Sequence, residues 1–277
     1  MHFLSITWDP DGVFLDLGFF QLRYYSLMFV VAFLLGWFIM KKIYKNEGQS
    51  NEALDSLFIY TVLATLIGAR LGHFIFYEPH VFLEDPLSIF LPFEFSPKFR
   101  LTGFRGLASH GAAIGIIIAM YLYSKKVIKK PILWILDRIV LPITIGGVFV
   151  RLGNFFNSEI IGKPTNSDYG VIFKQLGESF PRHPAQLYEA FGYVFVFIAL
   201  WFIYWKTDKK DKLGYIFGVF LILLWAVRFI AEFYKKSQGG FESALGLLST
   251  GQWLSIPFIL VGFYFIFRPS PSSIKTQ

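Results

Sequence analysis

Apolar runs of bilayer-spanning length recur along almost the whole chain, and they leave few folds open. A membrane-crossing helix needs about 20 mostly apolar residues. The sequence predicts such helices near residues 19–43, 53–76, 107–123, 132–149, 186–204, 213–234 and 252–267. The expected fold is therefore all-α: a polytopic integral membrane protein with about seven transmembrane helices. Only 16% of the 277 residues are charged, against about a quarter in soluble domains.

The net charge of +7 would suggest nucleic acid in a soluble protein, but its distribution argues for topology instead. Lys41, Lys42 and Lys45 follow the first run. Lys125, Lys126, Lys129 and Lys130 separate the third and fourth, and Lys206, Lys209, Lys210 and Lys212 separate the fifth and sixth. Basic clusters in alternate loops mark the cytoplasmic side, which puts the N-terminus outside and the C-terminus inside. No nucleic-acid partner is expected.

The flanking segments are shorter. Residues 1–18 carry three aspartates and no basic region, so they read as a short leader along the interface, not a cleaved signal. Residues 77–105 mix Phe and Pro with charges, as an interfacial loop or short amphipathic helix would. Residues 157–185 are the most polar stretch and predict a small outer cap. Residues 1–268 are expected to form one membrane domain, with a disordered cytoplasmic tail at 269–277. The absence of cysteine excludes disulfides, thiolate ligands and a nucleophilic Cys on this chain.

With this orientation, polar groups gather in one layer beneath the outer surface. Arg23, Tyr24 and Tyr25 begin the first run, and Arg70 and His73 end the second. Ser109 and His110 open the third, Arg151 and Asn154 end the fourth, and Arg228 and Glu232 end the sixth. Asp137 and Arg138 break the pattern near the inner end and read as an interfacial anchor. Each residue also has a plainer reading. Arg228 and Glu232 are spaced as an i,i+4 ion pair, lone arginines snorkel to headgroups, and Tyr24 and Tyr25 fit an aromatic belt. Their shared depth favours a site. Arginine forks suit phosphate, so an anionic phospholipid headgroup in the outer leaflet is the expected ligand. The scattered histidines offer no metal motif, and neither a metal nor a cofactor is expected.

The run Arg151–Gly162, RLGNFFNSEIIG, resembles the signature R-x-G-N-F-x-N-x-E-x-x-G of the bacterial prolipoprotein diacylglyceryl transferases. His110-Gly111, the run RHPAQLYE from Arg182 to Glu189, Tyr25, GARLG at 68–72, and Arg228 with Glu232 also fit. The chain departs from the family pattern at Val150, at Ala112 and at Leu224, where a tyrosine four positions before the helix arginine is usual.

The resemblance implies an enzyme, a transferase of lipoprotein biosynthesis and protein modification in the bacterial cytoplasmic (inner) membrane. Its active site would face the outer leaflet. It would move the diacylglyceryl group of phosphatidylglycerol to the lipobox cysteine thiol of a prolipoprotein, forming a thioether and releasing glycerol phosphate. The implied partners are phosphatidylglycerol, the prolipoprotein signal peptide and the surrounding membrane lipids.

The chemistry then divides the residues. His110 takes the thiol proton or positions substrate. Arg151 and Arg228, always protonated, bind and stabilise the departing phosphate. Tyr25, Arg70, Asn154, Asn157, Glu159, Gly162, Arg182, His183 and Glu232 are the expected substrate-binding set. Within it, Glu159 and Glu232 orient arginines and Gly162 permits a tight turn. The alternative is a phospholipid or anion transporter of the inner membrane, although such proteins commonly carry internal repeats and none is visible.

Overall fold

The computed structural model describes residues 4–18, 21–91, 93–94, 100–101, 106–236 and 246–269. In chain order the elements are β1 (Leu4–Trp8), β2 (Val13–Asp16), β3 (Gln21–Arg23), α1 (Tyr24–Asn46), α2 (Asn51–Phe76), α3 (Val81–Glu84), β4 (Phe93–Glu94), β5 (Arg100–Leu101), α4 (Ser109–Tyr123), α5 (Ile132–Phe156), β6 (Tyr169–Phe173), α6 (Ala185–Lys206), α7 (Tyr215–Ala231) and α8 (Thr250–Phe267). Helix dominates, as expected. Among the described residues, six helical stretches are long and apolar enough to cross a membrane, while α7, also apolar, has 17 residues. Large side chains such as Ile117, Phe191 and Leu260 are more than 60% exposed on these helices, a surface suited to lipid and not to water.

The chain divides into two compact units, residues 1–40 with 136–277, and residues 41–135. In the first, glycines on α1, α5, α6 and α7 let neighbouring groups come close. A Cβ at Gly153 would lie 2.8 Å from the Tyr25 ring, and one at Gly192 would lie 2.4 Å from Val227. Between α7 and α8, Gly218 and Gly262 face one another, and Trp225 stacks on Phe258 with centroids 4.2 Å apart. Ser249 starts α8 with a capping box closed by Gln252, which satisfies two otherwise orphaned amides.

The first expected helix begins late. Gln21–Arg23 pairs antiparallel with Val13–Asp16, and the Asp16 carboxylate accepts from the Gly18 amide and from Gln21 Nε2, each at 2.8 Å. This Asp-x-Gly turn delays α1 to Tyr24. Nor is the region before it a simple leader: β1 pairs in parallel with β6 of the expected cap, Leu4 opposite Tyr169 through Trp8 opposite Phe173. Trp8 then seals the cap onto α5, donating to the Phe155 carbonyl at 3.0 Å beside the core of Phe155, Ile161, Val171 and Phe173.

Asp137 is no interfacial anchor. It is fully buried, and its carboxylate accepts from the amides of Gly214 (2.6 Å) and Phe217 (2.9 Å). It thus caps α7 from a distant helix, placing negative charge at the positive end of the helix dipole.

The second unit is built on α2 against α4. Gly68 and Gly72 face Gly111 and Gly115, so a Cβ at Gly111 would lie 2.3 Å from the Gly68 carbonyl oxygen. These paired small-xxx-small faces bring two backbones into contact, the packing mode favoured in lipid. At the opposite end of this unit, the hydroxyls of Tyr44 and Tyr123 meet at 2.8 Å, and Tyr123 donates to the Ala53 carbonyl. Between the two long helices, α3 and a 3-10 turn at Pro86–Ile89 stand where an interfacial loop or short amphipathic helix was expected. The tail beyond residue 269 lies outside the described residues.

Candidate active site

In the first unit, the last turn of α5 and the loop after it carry the signature residues into one hydrogen-bonded chain. Arg151 Nη1 donates to Asn154 Oδ1 at 3.2 Å. Asn154 Nδ2 in turn donates to Glu159 Oε2 at 3.2 Å, and Asn157 Nδ2 donates to Glu159 Oε1 at 3.1 Å. Tyr25 joins through a side-chain hydrogen bond to Asn154, possible because Gly153 leaves room for its ring. Gln186, fully buried, donates to the Glu159 carbonyl and ties this loop to the first turn of α6.

Arg151 is held from α6 as well. Its Nε lies 2.9 Å from Glu189 Oε2. This contact is ionic rather than a well-aligned hydrogen bond, since that oxygen has no N–H directed at it. Glu189 is fully buried; its other oxygen meets Lys235 Nζ at 3.1 Å and accepts from the Tyr193 hydroxyl at 3.4 Å. Tyr193 also lies close enough to Arg151 to act on it electrostatically.

A second carboxylate closes the cluster. Glu232 Oε1 pairs with Lys235 Nζ at 3.0 Å, and its Oε2 accepts from Ser249 Oγ at 3.1 Å. The i,i+4 pair between Arg228 and Glu232, one plain reading of the spacing, is therefore not formed. Arg228 instead lies over the Trp225 ring, 5.4 Å from its centroid, with its buried Nε unpartnered among the described residues.

Gly162, Arg182 and His183 build the cap that supports this chain. Gly162 N donates to the His183 carbonyl at 3.1 Å, and a Cβ at Gly162 would sit 2.2 Å from that oxygen. The glycine is required by this close backbone approach. Arg182 clamps both oxygens of Glu178 and reaches the Gly162 carbonyl at 3.1 Å. His183 Nδ1 meets the Tyr188 hydroxyl at 3.1 Å among the rings of Tyr169, Tyr188 and Tyr234. Partial burial there pushes its imidazole below the ordinary histidine value.

The second unit places Arg70 and His110. Arg70 is buried and spends its guanidinium on the carbonyls of Ser88 and Ile89, the latter at 3.0 Å. It lies over Phe74 and pins the 3-10 turn to α2. His110 is exposed and packs against Phe76 and Tyr77. It lines an open pocket of about 320 Å³ with His73, Tyr77, Leu107 and Ala108.

The sequence reading missed three members of the cluster. Glu189 ends the run RHPAQLYE, and a carboxylate inside an apolar helix was signal enough to find it. Lys235 sits beside Lys236 and resembles an ordinary basic flank. Tyr193 brings its hydroxyl to Glu189 from the next turn of α6, while Leu224 packs in the apolar cluster around Tyr193.

The chain is similar to known proteins along almost its whole length. The family model described as prolipoprotein diacylglyceryl transferase matches residues 12–268. A phosphatidylglycerol–prolipoprotein diacylglyceryl transferase of Tolumonas auensis is 41% identical over 257 residues, covering 93% of this chain and 95% of the relative. Those of Bacteroides fragilis (38%, 95% of each chain) and Chloroherpeton thalassium (40%, 95% of this chain and 94% of the relative) are similarly close. With one family matched from the N-terminal hairpin to the end of α8, this chain belongs to the prolipoprotein diacylglyceryl transferases.

Proposed function

We propose that this protein transfers the diacylglyceryl group of phosphatidylglycerol to the cysteine thiol of a prolipoprotein lipobox, the reaction its relatives are named for. The observation that carries the reading is the Arg151 cluster: an arginine fixed by a fully buried glutamate, with a second arginine, Arg228, left without a carboxylate partner among the described residues.

The chemistry follows from those charges. The thiol sulfur attacks the glycerol carbon that bears the phosphate, the S–C bond forms, and the C–O bond to phosphorus breaks. The electron pair leaves with glycerol phosphate, and the thiol proton is given up. Arg151 and Arg228 hold the phosphodiester and stabilise the charge that grows on the leaving oxygen. Their positive field also favours the thiolate over the thiol. Glu189, held by Lys235 and Tyr193, fixes Arg151 so that little reorganisation accompanies the reaction. Asn154, Asn157 and Glu159 form the polar edge that receives the headgroup glycerol, with Tyr25 behind them. His110 takes the proton or positions substrate, an assignment resting on imidazole chemistry and the family resemblance. Arg182 and His183 act by supporting the backbone at Gly162, and Arg70 by holding the turn at Ser88 and Ile89.

The helices are read as seven spans, α7 being the short one, with the N-terminus outside and the C-terminus inside. The basic clusters support this orientation. It sets the protein in the inner membrane with the Arg151 end toward the outer leaflet, where secreted precursors emerge.

The test is the full chain reconstituted with phosphatidylglycerol and a synthetic lipobox peptide, read by mass spectrometry. The expected result is a diacylglyceryl increment on the peptide cysteine that disappears in Arg151→Ala. Transport of phosphatidylglycerol without that increment would overturn the reading in favour of a transporter.

A further inference from the structure

We propose that Lys235 is a positioning residue: by holding the carboxylate of Glu232, it keeps Arg228 unpaired and available to the lipid phosphate. The inference rests on the transferase reading above and assigns the choice of which cation meets the phosphate.

Glu232 follows Arg228 by four residues at the end of α7, the spacing at which a carboxylate and a guanidinium meet across one helical turn. A half-buried arginine with such a neighbour would ordinarily pair with it. Here Glu232 turns away, its two oxygens taken by Lys235 Nζ at 3.0 Å and Ser249 Oγ at 3.1 Å. Gly251 makes the turn possible, since a Cβ there would lie 2.3 Å from the Glu232 carboxylate. Lys235 is 5% exposed and reaches Glu189 with the same ammonium group. One cation thus binds two carboxylates, one fully buried and one partly exposed, and an ammonium with three rotatable donors suits this better than a planar fork.

The consequence falls on Arg228. Its Nε is buried and unpartnered among the described residues, and its guanidinium rests over Trp225. It lies close enough to the cluster to act electrostatically on the Tyr193 hydroxyl, as Glu232 does on Arg151. An unpaired buried donor is costly, and an anionic oxygen satisfies it. Were Lys235 absent, Glu232 would be a partly buried carboxylate short of a cation, with Arg228 one turn back on its own helix face. The pair would close and cancel the charge meant for phosphate. The helix alone encodes a self-quenching pair, and Lys235 prevents it.

The experiment uses the full chain in mixed micelles with phosphatidylglycerol and a synthetic lipobox peptide each varied in turn. Charge-assisted hydrogen bonds are worth about 1.5–3 kcal/mol, so Lys235→Met is expected to raise the KM for lipid about tenfold or more while leaving the KM for peptide unchanged. A merely unfolded fraction would lower the maximal rate and move neither KM. In a Glu232→Gln background, adding Lys235→Met is expected to leave the lipid KM where Glu232→Gln alone puts it, because no carboxylate remains to capture Arg228. Both members of this comparison lack the Glu232 charge, so it decides the matter even if Lys235→Met alone does not fold. A lipid KM raised about tenfold by Lys235→Met in that background, or an unchanged one in the single variant, overturns the role of Lys235. A wild-type chain that transfers no diacylglyceryl group at all would instead overturn the transferase reading and the inference with it.

Discussion

Glu189→Gln tests the central electrostatic claim with almost no change of shape. Glu189 is fully buried and touches Arg151 Nε at 2.9 Å, Lys235 Nζ at 3.1 Å and the Tyr193 hydroxyl at 3.4 Å. The amide keeps the volume and removes the charge, leaving two cations beside a neutral group. Breaking a buried ion pair costs about 3–5 kcal/mol. Lys235 retains Glu232, and Arg151 retains Asn154 and Tyr193, so the loss should fall near the lower end, about 3 kcal/mol. At about 2–4 °C per kcal/mol for chains of this order of size, thermal unfolding in detergent should shift down by about 6–12 °C. Activity should suffer more than stability, because an arginine displaced by about 1 Å from its working geometry forfeits about a hundredfold in rate. The assay is peptide lipidation below the shifted transition, normalised to folded protein. A variant with an unchanged transition and a rate within about twofold of wild type would refute the claim that Glu189 fixes Arg151.

Three further outcomes follow from the geometry. Gly111→Ala should destabilise the second unit by about 3 kcal/mol, because its Cβ would meet the Gly68 carbonyl at 2.3 Å and backbone cannot rotate aside; hydrogen exchange in α2 and α4 would report it. Asp137→Ala orphans the amides of Gly214 and Phe217 and should cost about 2–4 kcal/mol, with Asp137→Asn intermediate, both read as shifts of the thermal transition. His183, held below the ordinary value of 6.5 by burial, binds its proton more weakly folded than unfolded. Its stabilising contribution is therefore present above about pH 6.5 and lost as pH falls through the folded value. The transition temperature of wild type should drop over that window more than that of His183→Gln.

Much of this protein was legible in the sequence because the bilayer imposes a one-dimensional code. Apolar runs of sufficient length become helices wherever lipid forbids unpaired backbone, and six of them do so at close to the expected bounds. The polar stretch at 157–185 and the polar groups near the helix ends also stand out in the sequence, since polar groups inside apolar surroundings contrast with a uniform background. What sequence could not supply was pairing between elements far apart in the chain. The strand at Leu4–Trp8 finds Tyr169–Phe173 across more than 160 residues, and nothing local marks either as the other's partner. Asp137 looked like an interfacial anchor until α7 brought its free amides to that carboxylate.

The same limit governed the site. Sequence spacing offered Arg228 and Glu232 as a pair, the arrangement the helix prefers in isolation. Tertiary structure instead placed Lys235 and Ser249 around the carboxylate and left the arginine over Trp225. The sequence by itself determined which groups are present and that their burial must be compensated. Only the tertiary structure decided which charge satisfies which, because in a low-dielectric interior the choice goes to the nearest partner in space, and helix packing sets that distance.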